Sequence, residues 1–198
     1  MRLILASRSQ ARRALLEAAG VPHDAQSPAI DEDMAKAALR AEGATARDLA
    51  DALAELKAMR LSLRYPDDLV LGCDQTLALD NGTMLDKPET RKDAEVQLVG
   101  LRGKSHRLIS AAVICQAGAP VWRQIDSAKL TLRDFSDTFL QQYLDVEWPE
   151  IGGCVGGYRL EGLGVQLFSA IEGSHFTILG LPLLELLDYL RTRGILTA

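Results

Sequence analysis

MRLILASRSQARRALLEAAG, residues 1–20, is the stretch from which the rest of the chain is read. The apolar run RLILAS leads through Ser7-Arg8-Ser9 into apolar residues at Ala14, Leu15, Ala18 and Ala19, a helical spacing that Gly20 closes. The pattern predicts a strand, a tight turn and a helix. Ser9 is placed to cap that helix, because its hydroxyl accepts from the orphaned N–H groups of the first turn. Those N–H groups, the helix dipole and two adjacent cations, Arg12 and Arg13, suit an anion, and phosphate binding is the chemistry they suggest. An ordinary βα unit with solvated arginines fits the same residues.

At 198 residues and 47% apolar content the chain can bury one large core or two small ones. A net charge of −5 argues against a general nucleic-acid binder, whose affinity for the phosphate backbone needs a basic surface. Cys73, Cys115 and Cys154 are odd in number, widely spaced and without CxxC spacing, so reduced thiols are expected rather than a disulfide framework or zinc site. The N-terminal apolar run is too short for a signal peptide or a membrane span, and no other stretch approaches membrane length. A cytoplasmic protein without membrane or nucleic-acid partners is the expectation.

Along the chain, VPHDAQSPAIDEDM (21–34) reads as a short extended piece and a loop in which Asp31-Glu32-Asp33 concentrates negative charge. A solvated helix start is the other reading of those acids. From Thr45 the apolar positions Leu49, Leu53, Leu56, Met59, Leu61 and Leu63 predict a helix, with Thr45 or Asp48 as cap. Lys57 lies on it, either facing solvent as helix lysines usually do or serving a site. LVLGCDQTLAL (69–79) reads as a strand with an acid inside it. Burying an unpaired carboxylate is costly, so Asp74 sits at the strand's mouth, is paired, or holds a metal. Asp80-Asn81-Gly82 signals a hairpin returning through TMLDKP, with Lys87 just before a helix from Thr90 to Leu101. HRLISAAVICQAG and PVWRQIDSAKLTLRD form a long antiparallel ribbon turned at Ala117-Gly118-Ala119, with His106, a structural hydrogen-bonder or a ligand, at its entrance. Ser136 caps a helix through DTFLQQYLDV, after which the glycines of GGYRLEGLGVQLF (156–168) allow close backbone approach around Glu161. An amphipathic helix follows Gly180-Leu181-Pro182. The basic turn, the acids and the lysines together fit metal-dependent attack on a polyphosphate, although no Walker A or Rossmann glycine pattern is present.

In these motifs the chain resembles the Maf, or septum-formation, family of house-cleaning nucleoside triphosphate pyrophosphatases. The resemblance rests on SRSQARRALL (7–16), IDE (30–32), AELKA (54–58), GCDQ (72–75), DKP (86–88), LRGKSH (101–106), GGYRLEGLG (156–164) and LGLPL (179–183). It implies an α/β fold resembling inosine triphosphatase: an elongated mixed sheet flanked by helices, in two lobes with a cleft between them. One Maf-like domain over residues 1–198 and a homodimer are also implied. Carried over position by position, Ser7, Arg12, Arg13, Lys57 and Lys87 would bind phosphate and Asp74 would accept the proton of the attacking water. Glu32 and Asp74 would hold Mg²⁺ or Mn²⁺, since two neighbouring carboxylates without a cation repel.

The remaining assignments concern the base. Family turns commonly read SPRR or SPWRR; here Ser9-Gln10-Ala11-Arg12-Arg13 keeps the longer spacing without proline or tryptophan. With Gln75 and Glu161, the family's other specificity positions, this spacing resembles the branch acting on 7-methyl-GTP. A carboxylate at Glu161 accepts from both N1–H and the exocyclic amine of guanine, whereas glutamine suits a pyrimidine edge. Ala11 offers no aromatic face for a methylated, cationic base, so guanine is better supported than its methyl group. The alternatives are the dTTP and UTP branch, which Gln75 and Glu161 disfavour, and a nucleotide-binding septation regulator, which has no need of a positioned base.

Overall fold

A computed structural model describes residues 1–197, and the opening residues form the expected strand, turn and helix. β1 (Leu3–Ala6) is buried throughout. The Ser9 hydroxyl accepts from the Arg12 N–H at the start of α1 (Gln10–Ala18), and Gly20, at φ 66°, supplies the left-handed turn beyond it. β2 (Asp24–Gln26) follows. The acidic stretch is a helix start rather than a loop: Asp31 caps α2 (Glu32–Ala41) through the Met34 N–H, and Glu32 and Asp33 lie in its first turn, where the dipole favours them. α3 (Ala46–Ser62) opens on a capping box of Thr45 and Asp48. β3 (Leu69–Leu79) then pairs antiparallel with β4 (Met84–Leu85) across the Asp80-Asn81-Gly82 turn. After α4 (Arg91–Leu101), β5 (Ser105–Gln116) and β6 (Ala119–Leu132) form the long hairpin, with Ala117 at φ 49° and Gly118 at φ 80°. Two consecutive positive φ values are what a two-residue hairpin turn requires. The chain closes with α5 (Asp137–Glu147), β7 (Phe168–Glu172), α6 (His175–Ile178) and α7 (Leu183–Thr192), the segment before β7 carrying two short 3₁₀ turns.

The seven strands make one mixed sheet in the order β2-β1-β3-β5-β6-β7, with β4 added to β3. By backbone contacts the chain divides into two compact units. The first comprises residues 1–75, 109–126 and those from Ser174 onward; the second comprises residues 76–108 and 127–173.

In the first unit β1 lies parallel to β2 and to β3, with Leu3 opposite Leu69 and Ala6 opposite Gly72. Strand alternation sends Leu3, Leu5, Leu69, Leu71 and Cys73 into a core completed by Leu183, Leu186 and Leu190 of α7. The opposite parity of β3 faces α3. A Cβ on Gly72 would lie 2.0 Å from the Ala54 carbonyl oxygen and 2.7 Å from the Ala58 nitrogen, so the helix backbone rests directly on the strand. Asp74 has the same parity as Gly72 and is thereby sent toward α3. The three cysteines are free, and burial pushes the thiols of Cys73 and Cys115 up to about 11, out of the reactive range. Among the described residues no helix is long and apolar enough to cross a membrane.

In the second unit α4 and α5 are joined by Arg91 to Asp145 and by Gln141 to Glu95. Tyr143, Phe135, Leu140, Leu98 and Tyr158 fill the interior. His106 is fully buried there as a structural residue, its Nε2 2.6 Å from the Tyr158 hydroxyl. Burial lowers its pKa from 6.5 to about 4. The unfolded chain therefore binds a proton at His106 that the folded chain refuses between those values. Stability contributed by the neutral imidazole is complete above about pH 6.5 and is lost on acidification toward about 4, by about 3 kcal/mol over the window. Urea denaturation across that window is expected to show this fall in the wild type and a flatter profile in His106→Gln.

Candidate active site

Three charged side chains from three elements meet in the first unit. Lys57 Nζ donates to Asp74 Oδ1 at 2.6 Å and pairs with Glu32 Oε2 at 2.9 Å. The positions follow from local structure. On α3 the buried residues Ala50, Leu53, Ala54, Lys57, Ala58 and Leu61 form one stripe, so the 3.6-residue period turns Lys57 inward against the solvent-facing habit of its kind. β3 presents Asp74 to that face two residues beyond Gly72, and Glu32 arrives as the first residue of α2. The side chains of Lys57 and Asp74 are only 7% and 9% exposed, while that of Glu32 is 31% exposed. Asp74 is thus paired, the second of the alternatives its position in the strand allows.

The turn after β1 supplies the second cluster. Ser7 is buried, and its hydroxyl accepts from the Ser9 N–H at 3.1 Å. The two arginines differ in what they do. Arg12 donates through Nε to the Gly180 carbonyl at 2.8 Å and through Nη1 to the Cys73 carbonyl at 3.1 Å, tying α1 to β3 and to the turn before α7. Arg13 Nη2 donates to the Ser7 carbonyl at 3.5 Å, and among the described residues its buried Nε has no hydrogen-bond partner. A buried guanidinium donor without an acceptor is the feature an anion would satisfy. Ala11 is half-buried in α1. Gln75 gives its amide nitrogen to Ser110 Oγ, Thr177 O and Ile178 O, at 2.9, 3.0 and 3.0 Å, so its NH₂ is engaged within the protein.

Lys87 and Glu161 belong to the second unit, and both are exposed. Their charges act on one thiol: burial pushes Cys154 up, Glu161 adds to the rise and Lys87 opposes it. A side chain before Glu161 and a backbone amide after it are held by a buried acid that the sequence reading did not single out, Glu147. Its Oε2 accepts from Arg159 Nε at 2.5 Å and its Oε1 from the Leu163 N–H at 2.8 Å. The signal for it lies on α5, where Leu140, Tyr143, Leu144 and Glu147 share the buried stripe.

The ion pair makes a stability prediction. Lys57→Met leaves the buried Asp74 carboxylate without its cation and is expected to cost about 3–5 kcal/mol in urea denaturation. Adding Asp74→Asn to that variant is expected to recover most of the loss, because the uncompensated charge is then gone.

The Maf-like protein family pattern matches residues 2–193. A nucleoside triphosphate pyrophosphatase of Roseobacter denitrificans is 52% identical over 192 residues, spanning 97% of this chain and 96% of its own. Another so named, from Sphingopyxis alaskensis, is 49% identical over 195 residues and spans 98% of both. Among solved structures, the nucleoside-triphosphatase / dITP/XTP pyrophosphatase of Mycobacterium abscessus overlaps 98% of this chain and 96% of its own at a TM-score of 0.45 and 16% identity. A family pattern matched over nearly the whole length, with relatives at half identity spanning both chains, makes this chain a member of the Maf-like protein family.

Proposed function

We propose that this chain hydrolyses the α–β phosphoanhydride of a guanine-type nucleoside triphosphate, 7-methyl-GTP among them, to the monophosphate and pyrophosphate. The coarser activity, nucleoside triphosphate pyrophosphatase, is supported by family membership and by the names of relatives at 52% and 49% identity. The observation that carries the chemistry is the buried carboxylate of Asp74, held by Lys57 at 2.6 Å. The ammonium fixes where that carboxylate points, so the proton acceptor is held in place before the substrate arrives. In the proposed step a water oxygen bonds to the α-phosphorus while its proton passes to Asp74. The bond from that phosphorus to the bridging oxygen breaks, and its electron pair leaves with pyrophosphate.

Arg13, with its unpartnered buried Nε, and Ser7 are assigned to phosphate oxygens in this reading, together with Lys57 and Lys87. Arg12 is assigned there too, although two of its donors already hold the turn in place, so that it chiefly shapes the phosphate-binding turn. Glu32 and Asp74, both within hydrogen-bonding distance of one ammonium, are the residues that would hold Mg²⁺ or Mn²⁺. Among the described residues no group of three or more His, Cys, Asp or Glu gathers around a point, and a set of two hard carboxylates fits a cation that takes its other ligands from water and substrate phosphate. Such a cation supplies neutralising charge to the polyphosphate. Glu161 is assigned to the guanine N1–H and exocyclic amine, a pairing that its acceptor-only carboxylate suits.

The test is pyrophosphate release with Mg²⁺ or Mn²⁺ from GTP, 7-methyl-GTP, dTTP, UTP and CTP. Asp74→Asn is expected to lower turnover on the order of 10²-fold or more with the circular dichroism spectrum retained; full activity would remove the proton-acceptor role. Glu161→Gln is expected to weaken kcat/KM for guanine-type substrates about tenfold relative to pyrimidines. An unchanged ranking would sink the base-reading role.

A further inference from the structure

Glu147 ends α5 on its buried stripe, its side chain 3% exposed, where the helical period calls for an apolar residue. A carboxylate in such a place must have its oxygens satisfied. Both are, and the two donors are informative: Arg159 Nε at 2.5 Å and the Leu163 N–H at 2.8 Å lie on either side of Glu161 in the chain. The segment between them is drawn close over the carboxylate. A Cβ on Gly162 would stand 2.6 Å from Glu147 Oε1 and 2.9 Å from Arg159 Nε, and one on Gly164 would stand 2.3 Å from the Arg159 carbonyl oxygen. Only glycine lets the backbone pass this close at both positions. Glu161, between the two ties, is exposed. A leucine at 147 would continue the apolar stripe but would offer nothing to Arg159 or to the Leu163 amide.

We infer that Glu147 is a positioning residue for nucleobase selection: its buried carboxylate, clamped to Arg159 and the Leu163 amide, fixes the backbone that presents Glu161. The inference rests on the assignment of Glu161 to the base. A merely structural anchor would serve all substrates alike, whereas a positioning residue acts through Glu161 and so touches the substrates that Glu161 distinguishes.

The experiment is steady-state kinetics of the wild type, Glu161→Gln, Glu147→Gln and the double variant with GTP, 7-methyl-GTP, dTTP and UTP, alongside thermal denaturation. Glutamine at 147 keeps the volume and an oxygen for the Leu163 amide but withdraws the charge from Arg159. Glu147→Gln is expected to raise KM for the guanine-type nucleotides about fivefold to tenfold, with kcat within about twofold and pyrimidine KM unchanged. The double variant is expected to be no worse than Glu161→Gln alone. Equal losses on every nucleotide, a lowered Tm with the ranking intact, or additive effects in the double variant would overturn the inference. If Glu161→Gln itself leaves the ranking unchanged, the base-reading assignment fails and the inference with it. A shift in Glu161→Gln without one in Glu147→Gln overturns the inference alone. Should Glu147→Gln not fold, Arg159→Gln, at a side chain 35% exposed, is expected to give the same KM pattern, and an unchanged ranking there is equally fatal.

Discussion

The Lys57 ammonium, with Asp74 on one side and Glu32 on the other, is the interaction on which the first unit's chemistry depends. Two carboxylates and one ammonium in a largely dry position are costly to assemble, since each loses most of its hydration, and the arrangement persists only where the geometry is good. The backbone provides that geometry. Gly72 lets α3 settle onto β3 at a distance that no side chain would allow, and the helix then delivers Lys57 to the strand position two residues on. Glu32 joins because Asp31 caps α2 at that point, which makes the helix start itself a member of the charged cluster.

The turn after β1 is built on the same logic. Its helix N-terminus carries partial positive charge, and one arginine holds the turn while its neighbour retains an unsatisfied donor. Arg12 is bound at two carbonyls of the chain itself, so the turn is formed in advance and a ligand need not order it. Gln75 is held in the same way by Ser110 and by the carbonyls of Thr177 and Ile178, which leaves its oxygen as the end of the amide not committed in these bonds. The second unit repeats the device with opposite sign. A buried carboxylate, Glu147, gathers a guanidinium and a backbone amide and thereby sets the path of the segment that carries Glu161.

Much of this was legible in the residues. The strand, turn and helix at the start, the α3 helix with its Thr45 cap, the hairpin at Asp80-Asn81-Gly82 and the long ribbon turned at Ala117-Gly118 are local signals, each decided within a few residues by φ preferences, caps and periodicity. The acids at 31–33 fit either a loop or a helix start; the run of strong helix formers from Met34 to Ala41 is the local signal for the second, which Asp31 caps. Asp74 was conspicuous, since an acid inside an apolar strand demands a partner. Glu147 was not, although its spacing from Leu140, Tyr143 and Leu144 already placed it on the buried stripe.

By itself the sequence determined the secondary elements, the order of the motifs and the residue types available for phosphate chemistry, because these follow from short-range sterics and side-chain chemistry. Only the tertiary structure decided what each charge meets. Whether Lys57 faces water or Asp74 depends on how α3 lies against β3; whether Arg12 is a free cation or a tie depends on carbonyls at Cys73 and Gly180, far along the chain. The division of labour between Arg12 and Arg13, adjacent and identical in kind, has no local signal at all. It arises because a guanidinium is committed by the acceptors that folding brings to it, and those acceptors come from strands and turns that no window of sequence contains.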